Sequence, residues 1–273
     1  MQHESIISSE DLKILINSKS NLENIGFIMR GVNYLGDKLE NVINHTPNTI
    51  QKRVSKIVHT ILLKVIKANL ITMYKEKPFK KPKSLLYKTS VAASGVGLGF
   101  FGFAGFSADL LITTKIMMRS ILDIARSKGE DIHSIETQLE CLSVFALGGK
   151  SKDDDGLDTG YYAIRYGLRS AINSSSKFMA ENGLKKIVNS LASGSPMMQL
   201  VAKIATRYEI ASIEKFAAEG IPVAGAIGGG AINLVFMNHF QKMAEAHFSI
   251  RQLERKYGEE IVRLKYNEIK LTA

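Results

Sequence analysis

Apolar residues recur through most of the chain at the spacing of an amphipathic helix. Ile50, Val54, Ile57, Val58, Ile61, Leu62, Val65 and Ile66 make one such face, with Lys52, Arg53, Lys56, Lys64 and Lys67 on the polar side. Thr46-Pro47 marks its start, an N-cap followed by proline at the first helical position. An earlier face opens after Ser8-Ser9-Glu10-Asp11 with Leu12, Leu15 and Ile16. It continues through Leu22, Ile25, Phe27, Ile28, Val32 and Leu35, loosened by Gly26, Gly31 and Gly36. The spacing predicts further helices over 109–128, stopped by Gly129, and over about 134–147. Helical patterns resume at Tyr161, at Leu184 and after Ser195-Pro196, and charges alternate through 238–271 as on one long surface helix. With five prolines and little period-two alternation, the expected fold class is all-α.

Two stretches depart from this pattern. Residues 89–108 are apolar and uncharged, with Gly95, Gly97, Gly99, Gly102 and Gly105 among Phe100, Phe101, Phe103 and Phe106. Residues 220–241 repeat the theme with Gly225, Gly228, Gly229 and Gly230. At about 20 residues each is long enough to be a bilayer-spanning segment. Each glycine costs roughly 1 kcal/mol against alanine in a helix, and close backbone packing between helices is the usual compensation. Gly95, Gly99, Gly225 and Gly229 are the positions expected to permit that contact. Lys83 and Lys88 precede the first run, and Lys115 and Arg119 follow it. Basic residues at both ends suit a helical hairpin that enters and leaves a membrane on one side. The competing reading is a hairpin buried in a soluble bundle, with the phenylalanines as core. The expected architecture is one bundle with two glycine-rich apolar hairpins, divided as an N-terminal helical region (1–74), a basic linker (75–88) and a C-terminal helical domain (89–273).

Charge sharpens the membrane reading. The chain of 273 residues carries 36 basic and 26 acidic residues, a net +10 that attracts anionic lipid or nucleic acid. The linker concentrates Lys75, Lys77, Lys80, Lys81 and Lys83 around two prolines, without aromatic interleaving or a nucleic-acid motif. Lipid is therefore the expected partner, with a membrane protein or a second copy of the chain as further partners, and nucleic acid is not expected. The N-terminus lacks a secretory pattern and the one cysteine, Cys141, permits no internal disulfide. The expected location is the cytoplasm, peripheral to or partly inserted in the inner membrane.

Several motifs fail on their context. Gly97-Leu98-Gly99-Phe100-Phe101-Gly102 fits a dinucleotide fingerprint, but no strand–helix series surrounds it. Gly149-Lys150-Ser151 ends like a phosphate loop, yet Val144 stands where the first glycine belongs and three aspartates follow. Gly105-Phe106-Ser107-Ala108-Asp109 lacks the last glycine of a nucleophile elbow, and Ser107 reads as a helix cap. Counting Ser151 as the first position of a calcium loop, the twelfth is Tyr162 and not glutamate, and His239 and His247 are too far apart to share a metal unaided. No cofactor, metal or catalytic set follows. Asp109 is the one charge that interrupts the apolar stretch; it reads either as a helix cap or as a carboxylate paired to a base such as Arg165.

Residues 93–99 and 105–110, with the continuation 119–129, resemble the glycine-rich signature of the EcsC family of bacterial proteins. So do Gly225-Ala226-Ile227-Gly228-Gly229-Gly230-Ala231-Ile232-Asn233 and the later Ala244, Phe248, Arg251 and Leu253-Glu254-Arg255-Lys256-Tyr257-Gly258. The likeness spans Leu85 to Gly258 and implies a helical, membrane-linked protein with no catalytic motif to carry over. Within it, Asp109, Tyr161, Arg165, Asn233, His239, Arg251 and Glu254 are the polar positions of interest. The expected function is non-enzymatic docking on, or insertion into, the cytoplasmic membrane, by Lys77, Lys80, Lys81, Lys83 and Lys88 with Phe100, Phe101, Phe103 and Phe106; its sharper form is a membrane-perturbing effector. Two alternatives remain open: an enzyme on a lipid or hydrophobic substrate, with Asp109, Arg165 and His239 converging on a pocket, and a soluble scaffold for a protein partner.

Overall fold

The computed structural model describes residues 7–23, 45–72, 83–98, 102–147, 160–189, 195–219 and 224–271. These form nine α-helices and no strand, so the chain is all-α as expected: α1 (Ser9–Glu23), α2 (Asn48–Thr72), α3 (Ser84–Leu98), α4 (Gly102–Ser127), α5 (Ile135–Leu147), α6 (Tyr161–Asn189), α7 (Pro196–Glu219), α8 (Ala224–Tyr257) and α9 (Glu259–Glu268). Lys77, Lys80, Lys81, Gly99, Phe100, Phe101, Pro222 and the aspartates 153–155 lie outside the described residues. Whether either glycine-rich run turns as a hairpin also falls outside them, on residues 99–101 and 220–223.

Local signals explain most helix ends. The Ser8 hydroxyl accepts the Asp11 N–H at 3.2 Å, and the Ser195 hydroxyl accepts the Met198 N–H at 3.3 Å, so both serines cap the helices they precede. Gly129, at φ +86, closes α4 as its position predicts. The start of α2 is shifted by a residue: the Pro47 carbonyl accepts the Ile50 and Gln51 N–H groups, leaving Pro47 before the helix. The helix expected to begin at Asp109 begins at Gly102, so Asp109 and Ser107 lie inside α4 and cap nothing; the Ser107 hydroxyl donates back to the Phe103 carbonyl at 2.6 Å. The long helix expected over 238–271 is divided between α8 and α9 at Gly258, whose φ of +94 no helix admits.

α8 is the axis of the bundle. Its 34 residues span about 50 Å at 1.5 Å per residue, and α1, α3, α4, α5, α7 and α9 all pack on it. α3 makes the most extensive contact, which brings the two glycine-rich segments together. Their approach is close enough for the Asn233 amide on α8 to donate to the Val91 carbonyl of α3 at 3.0 Å. α3 runs antiparallel to α4: the Lys83 N–H reaches Asp123 at one end, and the Ser94 hydroxyl reaches Asp109 at the other. One apolar cluster takes in residues of every helix, from Leu15 of α1 and Val54 of α2 to Val262 of α9. No helix of the described residues is long and apolar enough to cross a membrane.

Candidate functional site

The basic residues of the chain are segregated. Residues 45–119 hold 13 of the 36 basic residues but only Glu76 and Asp109 of the 26 acidic ones. That net +11 exceeds the +10 of the whole chain, so everything else sums to −1. The fold spreads this segment over α2, α3 and α4, with α4 packing against both of the others. α2 buries Val54, Val58, Ile61, Leu62 and Val65, which turns Lys52, Arg53, Lys56 and Lys64 outward. α4 exposes a stripe of Ala104, Ala108, Ile112, Lys115 and Arg119. α3 exposes Leu85, Leu86, Thr89, Ser90 and Ala93, with Lys83 at its foot. The outer faces of these three helices carry no acidic residue, because Asp109 and Asp123 of α4 are both buried.

Asp109 is 2% exposed and anchors a polar cluster inside the bundle. Its Oδ2 accepts from Lys215 Nζ of α7 at 2.5 Å, and its Oδ1 accepts from Asn233 Nδ2 of α8 at 2.8 Å. The Ser94 hydroxyl, at 3.3 Å, and the Thr113 hydroxyl, at 3.5 Å, complete the shell. Lys215 has no exposed surface; it also pairs with Glu219 one turn on and lies 5.5 Å from the Phe106 ring centroid. Two carboxylates thus share one cation. Burial raises the Glu219 pKa above the ordinary carboxylate value, and Lys215 offsets this only in part. The partner foreseen for Asp109 was Arg165; the structure supplies Lys215 instead.

A second polar network braces α5, α6 and α8. Arg165 makes a bidentate pair with Glu254 at 2.6 and 2.7 Å, which the Tyr162 hydroxyl joins at 3.0 Å. Arg251 holds Glu130 at 2.8 Å and Glu140 at 3.2 Å, and Arg255 also pairs with Glu130. Three arginines therefore face three glutamates and the charges balance. Burial alone would raise Glu140, but the His247 ring and the Arg251 and Arg165 guanidiniums outweigh it and bring its pKa down to about 2. Burial lowers the pKa of His247 against the pull of Glu140, so the ring is neutral at pH 7.

The His247 Nδ1 lies 2.9 Å from the Tyr161 hydroxyl, and its Nε2 lies 3.4 Å from Glu140 Oε2, an ion-pair distance without hydrogen-bond alignment. Tyrosine, histidine and carboxylate in that order form the frame of an activated nucleophile. Yet Tyr161, His247 and Glu140 are 2%, 1% and 6% exposed, and burial pushes the Tyr161 pKa up. Burial likewise pushes up the adjoining Cys141 thiol, so it is not a thiolate nucleophile. The network works as a structural brace.

The remaining expected site residues scatter. Asp109 meets α8 at Asn233 and Arg165 meets it at Glu254, about 30 Å further along that helix. His239 sits between them, edge-on to Phe240 at 5.1 Å. The three do not converge, as the alternative of an enzyme on a hydrophobic substrate required. Phe106 is buried against Phe216 at 5.0 Å, and the half-buried Phe103 packs on both rings. Lys88 is half-buried and donates to Asn238 Oδ1 at 2.9 Å. Gly95, Gly225 and Gly229 lie within helices. Among the described residues no group of three or more His, Cys, Asp or Glu is placed to hold a metal. Sequence reasoning missed Lys215, Glu219 and Glu140, whose partners lie on other helices or at unremarkable helical spacing. It also missed Leu85 and Leu86 as outward-facing, since both fall within the segment read as a basic linker (75–88).

The model of the EcsC protein family matches residues 23–253, beginning well before Leu85, so the region that precedes the glycine-rich signatures is part of the match too. No curated protein and no solved structure matches the chain.

Proposed function

The chain belongs to the EcsC protein family, and from that premise we propose that it is a non-enzymatic protein that docks on the cytoplasmic face of a membrane through the outer surface of α2, α3 and α4. The supporting observation is the absence of acidic residues from that surface, in a chain whose whole excess of positive charge lies within residues 45–119. Each basic residue near an anionic bilayer contributes about 1 kcal/mol at physiological salt, so Lys52, Arg53, Lys56, Lys64 and Lys115 together supply roughly 5 kcal/mol. Lys77, Lys80, Lys81 and Lys83 of the connecting segment add to the same field. Electrostatics alone gives reversible binding, and an apolar contribution completes the pair of signals that stable attachment needs. The glycine-rich run and its phenylalanines are the source of that contribution if the bundle opens, and a membrane-perturbing effector is the form the function then takes.

Flotation of the purified chain with anionic vesicles over a salt series tests this reading. The wild type floats at low salt. Lys77→Gln, Lys80→Gln, Lys81→Gln and Lys83→Gln in combination weaken flotation, and raised salt weakens it further. A wild type that stays with the soluble fraction at low salt removes the proposal.

A further inference from the structure

We propose that Leu85 and Leu86, at the start of α3, are the edge that enters the bilayer, so that α3 lies along the lipid interface; this rests on the docking reading above. At 75% and 55% exposed, they are the most exposed large hydrophobic side chains among the described residues. They open a face of α3 whose other outward residues, Thr89, Ser90 and Ala93, carry no charge. Because α3 and α4 are antiparallel, this end of α3 lies beside the Arg119 end of the α4 stripe, where Ile112 is 39% exposed and Lys115 is also turned outward. Lys83 and Lys88 stand on either side of the leucines in sequence. Two acids lie near this end: Asp123 is buried, accepts the Lys83 N–H and pairs with Arg126, and Glu245 of α8, one turn beyond the Gln241 that donates to the Ser84 carbonyl, is exposed but paired with Lys128.

An apolar pair flanked by lysines, with the nearby described acids either buried or paired to a base, matches an anionic interface, where leucine sinks between headgroups and lysine reaches up to phosphates. The other exposed helical pair, Ile261 and Leu264 of α9 at 37% and 54%, has a different setting. It sits among Glu259, Glu260, Arg263, Lys265 and Glu268, a mixed-charge surround that anionic lipid does not favour. The two pairs therefore provide an internal comparison.

The test uses the full chain and vesicles of phosphatidylcholine with roughly one-third phosphatidylglycerol, at about 0.1 M and about 1 M sodium chloride. Because both leucines are exposed, Leu85→Ser with Leu86→Ser leaves the thermal midpoint unchanged. It lowers the vesicle partition coefficient at least about tenfold and abolishes the part of binding that survives high salt. Ile261→Ser with Leu264→Ser leaves partitioning as in the wild type. If the wild type floats and the Leu85/Leu86 variant floats equally well, the leucine edge is wrong while docking stands. If the wild type does not float at either salt concentration, docking fails and the edge falls with it. Equal losses from the two serine pairs overturn the assignment, since apolar content rather than position then decides. A wild-type dimer in light scattering that the Leu85/Leu86 variant converts to monomer also overturns it, by making the leucines a contact between copies of the chain.

Discussion

A lysine with no exposed surface is tolerated in a helical bundle only where carboxylates meet it, and Lys215 meets two. The two are not equivalent. Asp109 also accepts from Asn233, Ser94 and Thr113, whereas Glu219 is tied to Lys215 and its charged form is disfavoured by burial. Lys215→Met strands both carboxylates and is expected to cost about 3–5 kcal/mol in urea unfolding. Asp109→Asn turns an acceptor of four donors into an amide and costs about 2–4 kcal/mol. Glu219→Gln, which leaves the Asp109–Lys215 pair intact, stays within about 1 kcal/mol. Equal losses from Asp109→Asn and Glu219→Gln would refute this asymmetry. Half of this cluster was legible in the sequence: Asp109 stood out as the one charge in an apolar stretch. Its partner did not, because Lys215 lies 106 positions away in Ile213-Glu214-Lys215-Phe216, a string with the look of a solvated turn of helix.

Helices were easier to find than their ends. Periodicity fixed α2, α4 and α5 to within a turn or so, except that α4 extends back through the glycine-rich run to Gly102. There, uncharged residues gave no contrast between faces, and packing on α3 and α8 decided the outcome. The break between α8 and α9 escaped notice because charges alternate across it without interruption; one glycine conformation makes the cut. Gly258 sits at φ +94 and ψ 144, a region almost closed to residues with a Cβ, and an added Cβ would meet nothing within 4 Å. Gly258→Ala should therefore cost about 1–3 kcal/mol through backbone conformation alone. Gly167 is the counterpart inside α6: it has ordinary helical geometry, an exposed position and open space around it. Gly167→Ala should stabilise the chain by about 0.5–1 kcal/mol. Thermal midpoints moving in opposite directions are the expected result, and a destabilised Gly167→Ala would contradict the helix assigned there.

At the scale of the whole molecule the all-α class and the family were legible, because helical periodicity and the two glycine-rich signatures are local. The arrangement of charge in space was not, since it depends on which faces α2, α3 and α4 turn outward. The same bundle buries groups that make its stability depend on pH. His247 has a lowered pKa, so below its ordinary value of 6.5 the unfolded chain takes up a proton that the folded chain resists. Stability is therefore lost as pH falls from about 6.5. A second loss sets in below the ordinary 4.5 of Glu140, continuing toward its folded value of about 2, and Glu130, also lowered, adds to it. Glu219 acts in the opposite sense: its pKa is raised, so protonation as pH falls favours the folded form. His247→Gln isolates the first stage, since the amide can still hydrogen-bond the Tyr161 hydroxyl, as donor or acceptor, but cannot titrate. Urea midpoints measured from about pH 7 to about pH 5 should fall in the wild type with a slope of up to about 1.4 kcal/mol per pH unit. In His247→Gln that slope should flatten, and the decline below pH 4.5 should shrink to the part that Arg251 and Arg165 exert on Glu140 and that Glu130 contributes. An unchanged slope between pH 7 and pH 5 would mean that the imidazole takes its proton in the folded bundle as readily as in the unfolded chain, and that burial does not outweigh the pull of Glu140.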